Sequence, residues 1–233
     1  MWAKAFQRAS FRIFTLPVYF GISVVRLIGY SSVLKDFDYC IGVIKGLEFE
    51  YADEVTASLI RALVVAEDHR NLLHSGVDPI AIVRALKVRM LEGKRQGAST
   101  IEQQLVRTLT KRYERTPRRK VREQILAVMI CGEFTKRELA ASYLKVAYYG
   151  AALKGGDGVR KLRKDNCEWS DEVIVAHLKY PRSSRYADSM SIKHRNRVEH
   201  IRFLLKGEVG VFLRKSIDHV VVPSGVLESS KGQ

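Results

Sequence analysis

The stretch Ala66-Glu67-Asp68-His69-Arg70-Asn71-Leu72-Leu73-His74-Ser75-Gly76-Val77-Asp78-Pro79 decides how the chain is read. Upstream of it, Ile60, Leu63, Val64 and Glu67 recur at helical spacing, so an acid continues a face that is otherwise apolar. A carboxylate at the edge of an apolar wall is partly stripped of water, the setting in which it becomes a competent general base. The same acid also suits the frayed last turn of a helix, reaching solvent. Asp78 followed by Pro79 then reads as an N-cap with proline in the first turn, opening a new helix.

Outward from this stretch the punctuation is that of an all-α domain. The helix opened by Asp78 is predicted to run to about Leu91, with Ile82, Leu86 and Met90 on one face. Glycines and basic residues interrupt at Gly93 to Gly97. Ser99 with Glu102 reads as a capping box into a helix to about Tyr113. Thr116-Pro117 starts another, to about Gly132, and Thr135 with Glu138 is a second capping box. Leu139, Tyr143 and Val146 are then expected inward. Strand alternation is scarce until Val220 to Val222, and no internal repeat is visible.

The 233 residues suffice for one sizeable core, and 40 basic against 25 acidic side chains call for a polyanionic partner or an anionic membrane surface. Cys40, Cys131 and Cys167 show no CxxC spacing, which suggests neither a disulfide framework nor a zinc site, and Cys131 reads as a small core residue. Lys4, Arg8 and Arg12 precede a mostly apolar stretch, Ile13 to Leu34, whose only charge is Arg26. As one helix it would extend about 33 Å, enough for a hydrocarbon core of about 30 Å. The expectation is a retained single-pass anchor with its N-terminus in the cytoplasm, while Pro17, Gly21 and Arg26 keep an interfacial helix open and a buried amphipathic helix of a soluble protein is the plain alternative. The segments are a basic cytoplasmic tail (1–12), the membrane anchor (13–34), a helical domain (50–207) and a C-terminal tail (208–233).

Between positions 107 and 122 stand Arg107, Lys111, Arg112, Arg115, Arg118, Arg119, Lys120 and Arg122 against one acid, Glu114, before Glu123 closes the run. Guanidinium forks at this density suit phosphate oxygens, although a solvated helix face has the same composition. Tyr113 is the only aromatic residue among them, which speaks against single-stranded nucleic acid as the partner.

Taken in order, these stretches resemble the motifs of peptidoglycan glycosyltransferases, glycosyltransferase family 51. The first motif of that family reads Glu-Asp-x-x-Phe-x-x-His-x-Gly; Glu67, Asp68, His74 and Gly76 match it, with Asn71 in the Phe position. Gly97 to Gln104 resembles Gly-x-Ser-Thr-Ile-Thr-Gln-Gln, with Glu102 where Thr is usual. Arg115 to Glu123 resembles Arg-x-x-x-Arg-Lys-x-x-Glu, and Lys136 to Lys145 follows Lys-x-x-Ile-Leu-x-x-Tyr-Leu-Asn more loosely, with Lys145 in the Asn position. Lys179-Tyr180-Pro181-Arg182-Ser183-Ser184 looks like the family's late proline-containing turn, and a basic helix, Ile192 to about Lys206, closes the domain.

The resemblance implies a lysozyme-like, all-α glycosyltransferase domain with an N-terminal membrane-anchor helix, held at the bacterial inner membrane with its site on the periplasmic or extracellular side. It implies polymerisation of lipid II into β-1,4-linked glycan strands with release of undecaprenyl pyrophosphate. Glu67 would be the base, and Arg84, Arg107, Arg115, Arg119, Lys120 and Arg122 would hold phosphates. Glu123 would organise the donor site or a divalent cation, Mg or Mn, bound to the pyrophosphate. Asp68, His74, Ser99, Thr100, Gln103 and Gln104 would shape the substrate groove. Lipid II, the growing strand, the membrane and other wall-synthesis proteins are the implied partners, with no organic cofactor and no nucleic acid. Two rival readings remain: a lysozyme or lytic transglycosylase, and a non-catalytic lipid II-binding or scaffold protein.

Overall fold

Residues 2–94, 96–165, 170–182 and 191–217 are described in the computed structural model of the chain. Its first two helices break the single continuous helix expected over 13–34. α1 (Trp2–Leu27) stops at Gly29, which takes a left-handed φ of 61°, and α2 (Ser31–Gly46) restarts two residues later at an angle of 104° to it. Counting apolar residues from Ile13 to Leu34 cannot see this stop, because Gly29 is as compatible with an apolar run as with a left-handed helix terminus. Among the described residues no single helix is long and apolar enough to cross a membrane; the bent pair Phe11–Leu27 and Ser31–Gly46 passes only when taken together. Residues 2–12, expected as a separate tail, continue α1.

α1 is also part of the domain wall. Phe11, Thr15, Ile22 and Val25 are buried, and a Cβ on Gly21 would already sit 3.3 Å from the Ile125 side chain of α6 (Pro117–Glu133). α2 adds Val33, Cys40 and Ile44 to the same core. Asp36 of α2 receives both Arg112 and Arg122, so the segment expected as the anchor and the helix that follows it are tied to the domain by packing and by charge.

The core is organised on α5 (Ile101–Thr110), whose Ile101, Leu105, Val106 and Leu109 are buried against α6, α7 (Lys136–Val146) and α2. α3 (Ala57–Glu67) packs on α9 (Asp171–Lys179), α10 (Ile192–Ile217) and α7. Side-chain caps set the helix starts: Thr56, Asp78, Thr100, Thr116 and Thr135 each accept a hydrogen bond from a backbone N–H of the first turn. The capping box at Thr135 and Glu138 is present as expected, and behind it Leu139 and Tyr143 are buried while Val146 is half-buried. The cap of α5 lies one residue later than Ser99, and the helix ends at Thr110, not Tyr113, with Lys111 left-handed.

α4 (Pro79–Glu92) departs from the usual amphipathic arrangement. Only Ala81 is buried on it, while Ile80, Val83, Leu86, Met90 and Leu91 stand exposed, Met90 by 75%. The strands were not foreseen. β1 (Tyr148–Gly150) and β2 (Leu153–Lys154) form an antiparallel hairpin leading into α8 (Gly155–Asp165). Gly156 is required there because a Cβ would stand 2.1 Å from the Tyr51 ring. α10 runs on to Ile217, so the segment beginning at 208 continues a helix; Val220 to Val222, Cys167, Ser183 and Ser184 lie outside the described residues. Burial pushes the Cys131 thiol up to about 12, which suits an inert, part-buried core residue.

Where α9 meets α10, His177 and His194 stack with ring centroids 4.1 Å apart. Burial, and then the charge of His194, lowers His177 to about 4, and burial lowers His194 as well. His177 is therefore neutral in the fold at about pH 6, whereas in the unfolded chain it binds a proton near 6.5. Stability is present above that value and is lost as pH falls from it through about 4. The thermal midpoint is expected to drop across that window, and His177→Asn to flatten the drop; an unchanged slope in the variant would contradict the assignment.

Candidate active site

Glu67 is the last residue of α3, and its side chain is 19% exposed. Its Oε1 accepts from Arg197 Nη2 of α10 at 2.8 Å, and the same nitrogen donates to Ala66 O at 2.6 Å. Its Oε2 accepts from Gln104 Nε2 of α5 at 3.3 Å, and Gln104 Oε1 in turn accepts from the Tyr143 hydroxyl of α7 at 2.9 Å. Four helices thus fix one carboxylate. The grip is unequal: Oε1 is committed to a charged donor, whereas Oε2 has one long neutral bond and capacity for another donor. Arg197 and Tyr143 are the functional residues that sequence reasoning did not assign. Arg197 was visible only as one of several basic residues on the closing helix, 130 positions from its partner.

Behind Glu67 the polar turn folds into a buried network. Asp68 Oδ1 accepts from His74 Nε2 at 2.9 Å, and the Gly76 N–H donates to His74 Nδ1 at 3.2 Å, which places the ring proton on Nε2. Asp68 Oδ2 accepts from Asn71 Nδ2 at 3.2 Å and from the Ile101 N–H at 3.3 Å. Burial works against ionisation of Asp68, but His74, Asn71 and Ile101 together hold it below the usual carboxylate range. Gly76 takes φ 92°, and a Cβ there would meet Ala127 O at 2.6 Å; its own carbonyl accepts from Thr100 Oγ1 at 2.8 Å and Gln103 Nε2 at 3.1 Å. Asp68, His74, Thr100 and Gln103 therefore form a buried scaffold behind Glu67, at 5% exposure or less.

Glu102, in the Thr position of the family pattern, is fully buried, and its Oε1 accepts from Asn71 Nδ2 at 2.9 Å and Lys136 Nζ at 2.6 Å. Ligand atoms of Asp68, His74 and Glu102 lie within 4.8 Å of one another, a spacing that could hold a cation. The Lys136 ammonium, also 3.5 Å from His74 Nδ1, already supplies positive charge at that point. Lys145, in the Asn position, donates to Leu47 O at 2.5 Å and Glu48 O at 3.2 Å, so it binds the carbonyls that end α2.

The second charged group centres on Glu123 of α6, which is 3% exposed. Arg107 of α5 holds it with Nε at 3.1 Å and Nη2 at 3.2 Å, Lys120 Nζ reaches it at 2.8 Å, and Arg119 Nη1 makes a further close contact. Lys120 Nζ also donates to Gln103 Oε1 at 2.5 Å and Ser99 Oγ at 3.0 Å, and Arg107 Nη2 to Ser99 Oγ at 3.2 Å. Burial opposes ionisation of Glu123, yet Arg107 and Lys120 hold its carboxyl below the usual range. Lys120 is lowered, first by burial and then by Arg107 and Arg119 against the pull of Glu123. Three cations around one carboxylate leave a positive excess, the condition for an anion to bind. Because both Glu123 oxygens are filled by these donors, the residues do not fit a divalent cation bound directly to it.

The cluster takes in Ser99, Gln103, Arg107, Arg119, Lys120 and Glu123 of the residues named from sequence. Arg122 turns to α2, donating to Asp36 and to Ser32 O. Arg115 is exposed in the loop before α6, and Arg84 is exposed on α4, where its charge reaches His69. The two charged groups share α5: Gln104 reaches Glu67, and Arg107, three residues on, reaches Glu123, about 4.5 Å further along the axis.

The domain is thus mostly helical, with α5 reaching a partly open carboxylate through Gln104 and, one turn on, a carboxylate held among cations through Arg107. A family model described as transglycosylase matches residues 46–161. Penicillin-binding protein 1A of Aquifex aeolicus is 40% identical over 127 residues, 54% of this chain and 18% of the relative. Penicillin-binding protein 1A of Escherichia coli is 41% identical over 104 residues, 44% and 12% of the two chains, and penicillin-binding protein 1B of Vibrio cholerae is 36% identical over 108 residues, 46% and 14%. The chain belongs to the transglycosylase family, glycosyltransferase family 51. It spans less than a fifth of the length of these relatives.

Proposed function

We propose that the chain is an inverting peptidoglycan glycosyltransferase on a lysozyme-like helical scaffold, polymerising lipid II into β-1,4-linked strands for the cell wall and releasing undecaprenyl pyrophosphate. The observation that carries this reading is the positive cluster of Arg107, Arg119 and Lys120, whose Arg107 stands one turn of α5 beyond Gln104, the residue that holds Glu67. A donor sugar activated by pyrophosphate has a good leaving group, which needs charge neutralisation more than a general acid. Only the attacking 4-hydroxyl needs a base. Oε2 of Glu67 takes that proton as the hydroxyl attacks the anomeric carbon from the face opposite the pyrophosphate, while Arg197 keeps Oε1 in place. A glycan-cleaving enzyme needs a general acid at the leaving oxygen and has no use for the cation cluster.

The membrane reading changes from spanning to lying on the surface. α1 and α4 touch, and both turn apolar side chains outward: Ile13, Phe14, Leu16 and Phe20 on one, Val83, Leu86 and Met90 on the other. Exposed Arg12, Arg26, Arg84 and Lys87 on the same helices suit anionic headgroups. A domain seated in this way, on the outer face of the inner membrane, would meet lipid II and other wall-synthesis proteins where they lie. Incubation with labelled lipid II in anionic vesicles tests the whole reading. Long strands with vesicle-bound protein are the expected result, and cleavage of preformed glycan, or tight lipid II binding without strands, would replace it with one of its rivals.

A further inference from the structure

The buried network behind Glu67 contains two of the chain's three departures from the family pattern, and they touch each other. Asn71 stands in the Phe position at 2% exposure, and Glu102 stands in the Thr position at 0%. The single amide nitrogen of Asn71 carries two hydrogens, and its two acceptors are carboxylates: Asp68 Oδ2 at 3.2 Å and Glu102 Oε1 at 2.9 Å. Two buried carboxylates on one network repel and desolvate each other unless donors stand between them. Asn71 supplies those donors, and Lys136 supplies the charge at 2.6 Å.

We infer that Asn71 and Glu102 are matched positioning residues which, with Lys136, hold the Asp68–His74 pair and through it the base Glu67 and the start of α5; this rests on the role of Glu67 proposed above. Asp68 is the next residue after Glu67 and also accepts the Ile101 N–H at the first turn of α5. α5 in turn carries Gln104 and Arg107, so a shift at Asp68 is felt at the base and at the cation cluster together. The family's Phe and Thr and this chain's Asn and Glu are alternative solutions that do not mix. Asn71→Phe alone removes both donors from between the carboxylates. Glu102→Thr alone leaves the Lys136 ammonium and one Asn71 N–H without their carboxylate. Changing both removes the second carboxylate together with the group that bridged it, and Lys136 keeps the Asp68 charge and His74 Nδ1 beside it.

The test is a double-mutant cycle on the full chain: wild type, Asn71→Phe, Glu102→Thr and the double variant. Each is read by kcat and KM for lipid II, by thermal midpoint and by the His74 imidazole NMR signal. Each single change is expected to lower kcat at least about tenfold with KM within about twofold, and the double to recover to within about threefold of wild type. The His74 signal should move in each single variant and return in the double. A single variant that fails to fold while the double folds and works gives the same answer. The inference is overturned if the double is no better than the product of the two singles, or if midpoints move while kcat at lower temperature stays at wild type. If even the wild type makes no strands, the polymerase reading fails, while the midpoints and the His74 signal still decide whether the two residues are coupled.

Discussion

Replacing Glu67 with Gln is expected to lower strand formation from lipid II by about 10²- to 10⁴-fold, the contribution of a positioned general base. Gln keeps an oxygen that can accept from Arg197, and it keeps the length and shape of the side chain, so the junction of α3, α5, α7 and α10 should persist. What it removes is the oxygen able to take a proton. Lipid II binding and the thermal midpoint should therefore stay near wild type, apart from the modest effect of leaving Arg197 without its counter-ion. Turnover within a few-fold of wild type would remove Glu67 from the chemical step.

Arg107→Lys is expected to lower kcat at least about tenfold, equivalent to about 1.4 kcal/mol in the barrier, although the charge is conserved. The Arg107 fork makes three bonds at once, two to Glu123 and one to Ser99, and an ammonium cannot reproduce its planar geometry. Negative charge moves onto the leaving pyrophosphate during the reaction, so the loss should fall on kcat more than on KM. A solvated surface arginine would tolerate the change. Arg115, exposed in the loop before α6, is the internal comparison, and equal losses at Arg107 and Arg115 would mean that total charge, not the cluster's geometry, sets the rate.

The helix starts were legible because short-range chemistry writes them: Asp78-Pro79, Thr116-Pro117 and Thr135 with Glu138 carry their caps within a few residues. Ser99 misled by one position because Thr100 beside it has the same hydroxyl, and only the partners Arg107 and Lys120 across the fold distinguish them. The single unbroken helix expected over 13–34 is not seen because hydropathy measures composition while the stop at Gly29 and the burial of Ile22 and Val25 are tertiary facts. Glu67 and Glu123 could be named from motif order, whereas Arg197 on Glu67 and Asp36 on Arg122 are long-range pairs with no local signature. The departures at Asn71 and Glu102 looked like separate losses in sequence; side by side in the core, 31 positions apart, they are one interaction.

The most direct measurement of the central claim follows undecaprenyl pyrophosphate release and glycan growth together, from purified chain and lipid II, in the wild type and in Glu67→Gln. Release and growth are expected to rise in step in the wild type, with one lipid pyrophosphate freed per disaccharide joined, and both to stop in Glu67→Gln while lipid II remains bound. Pyrophosphate release without strand growth, or growth that continues in Glu67→Gln, would contradict the claim.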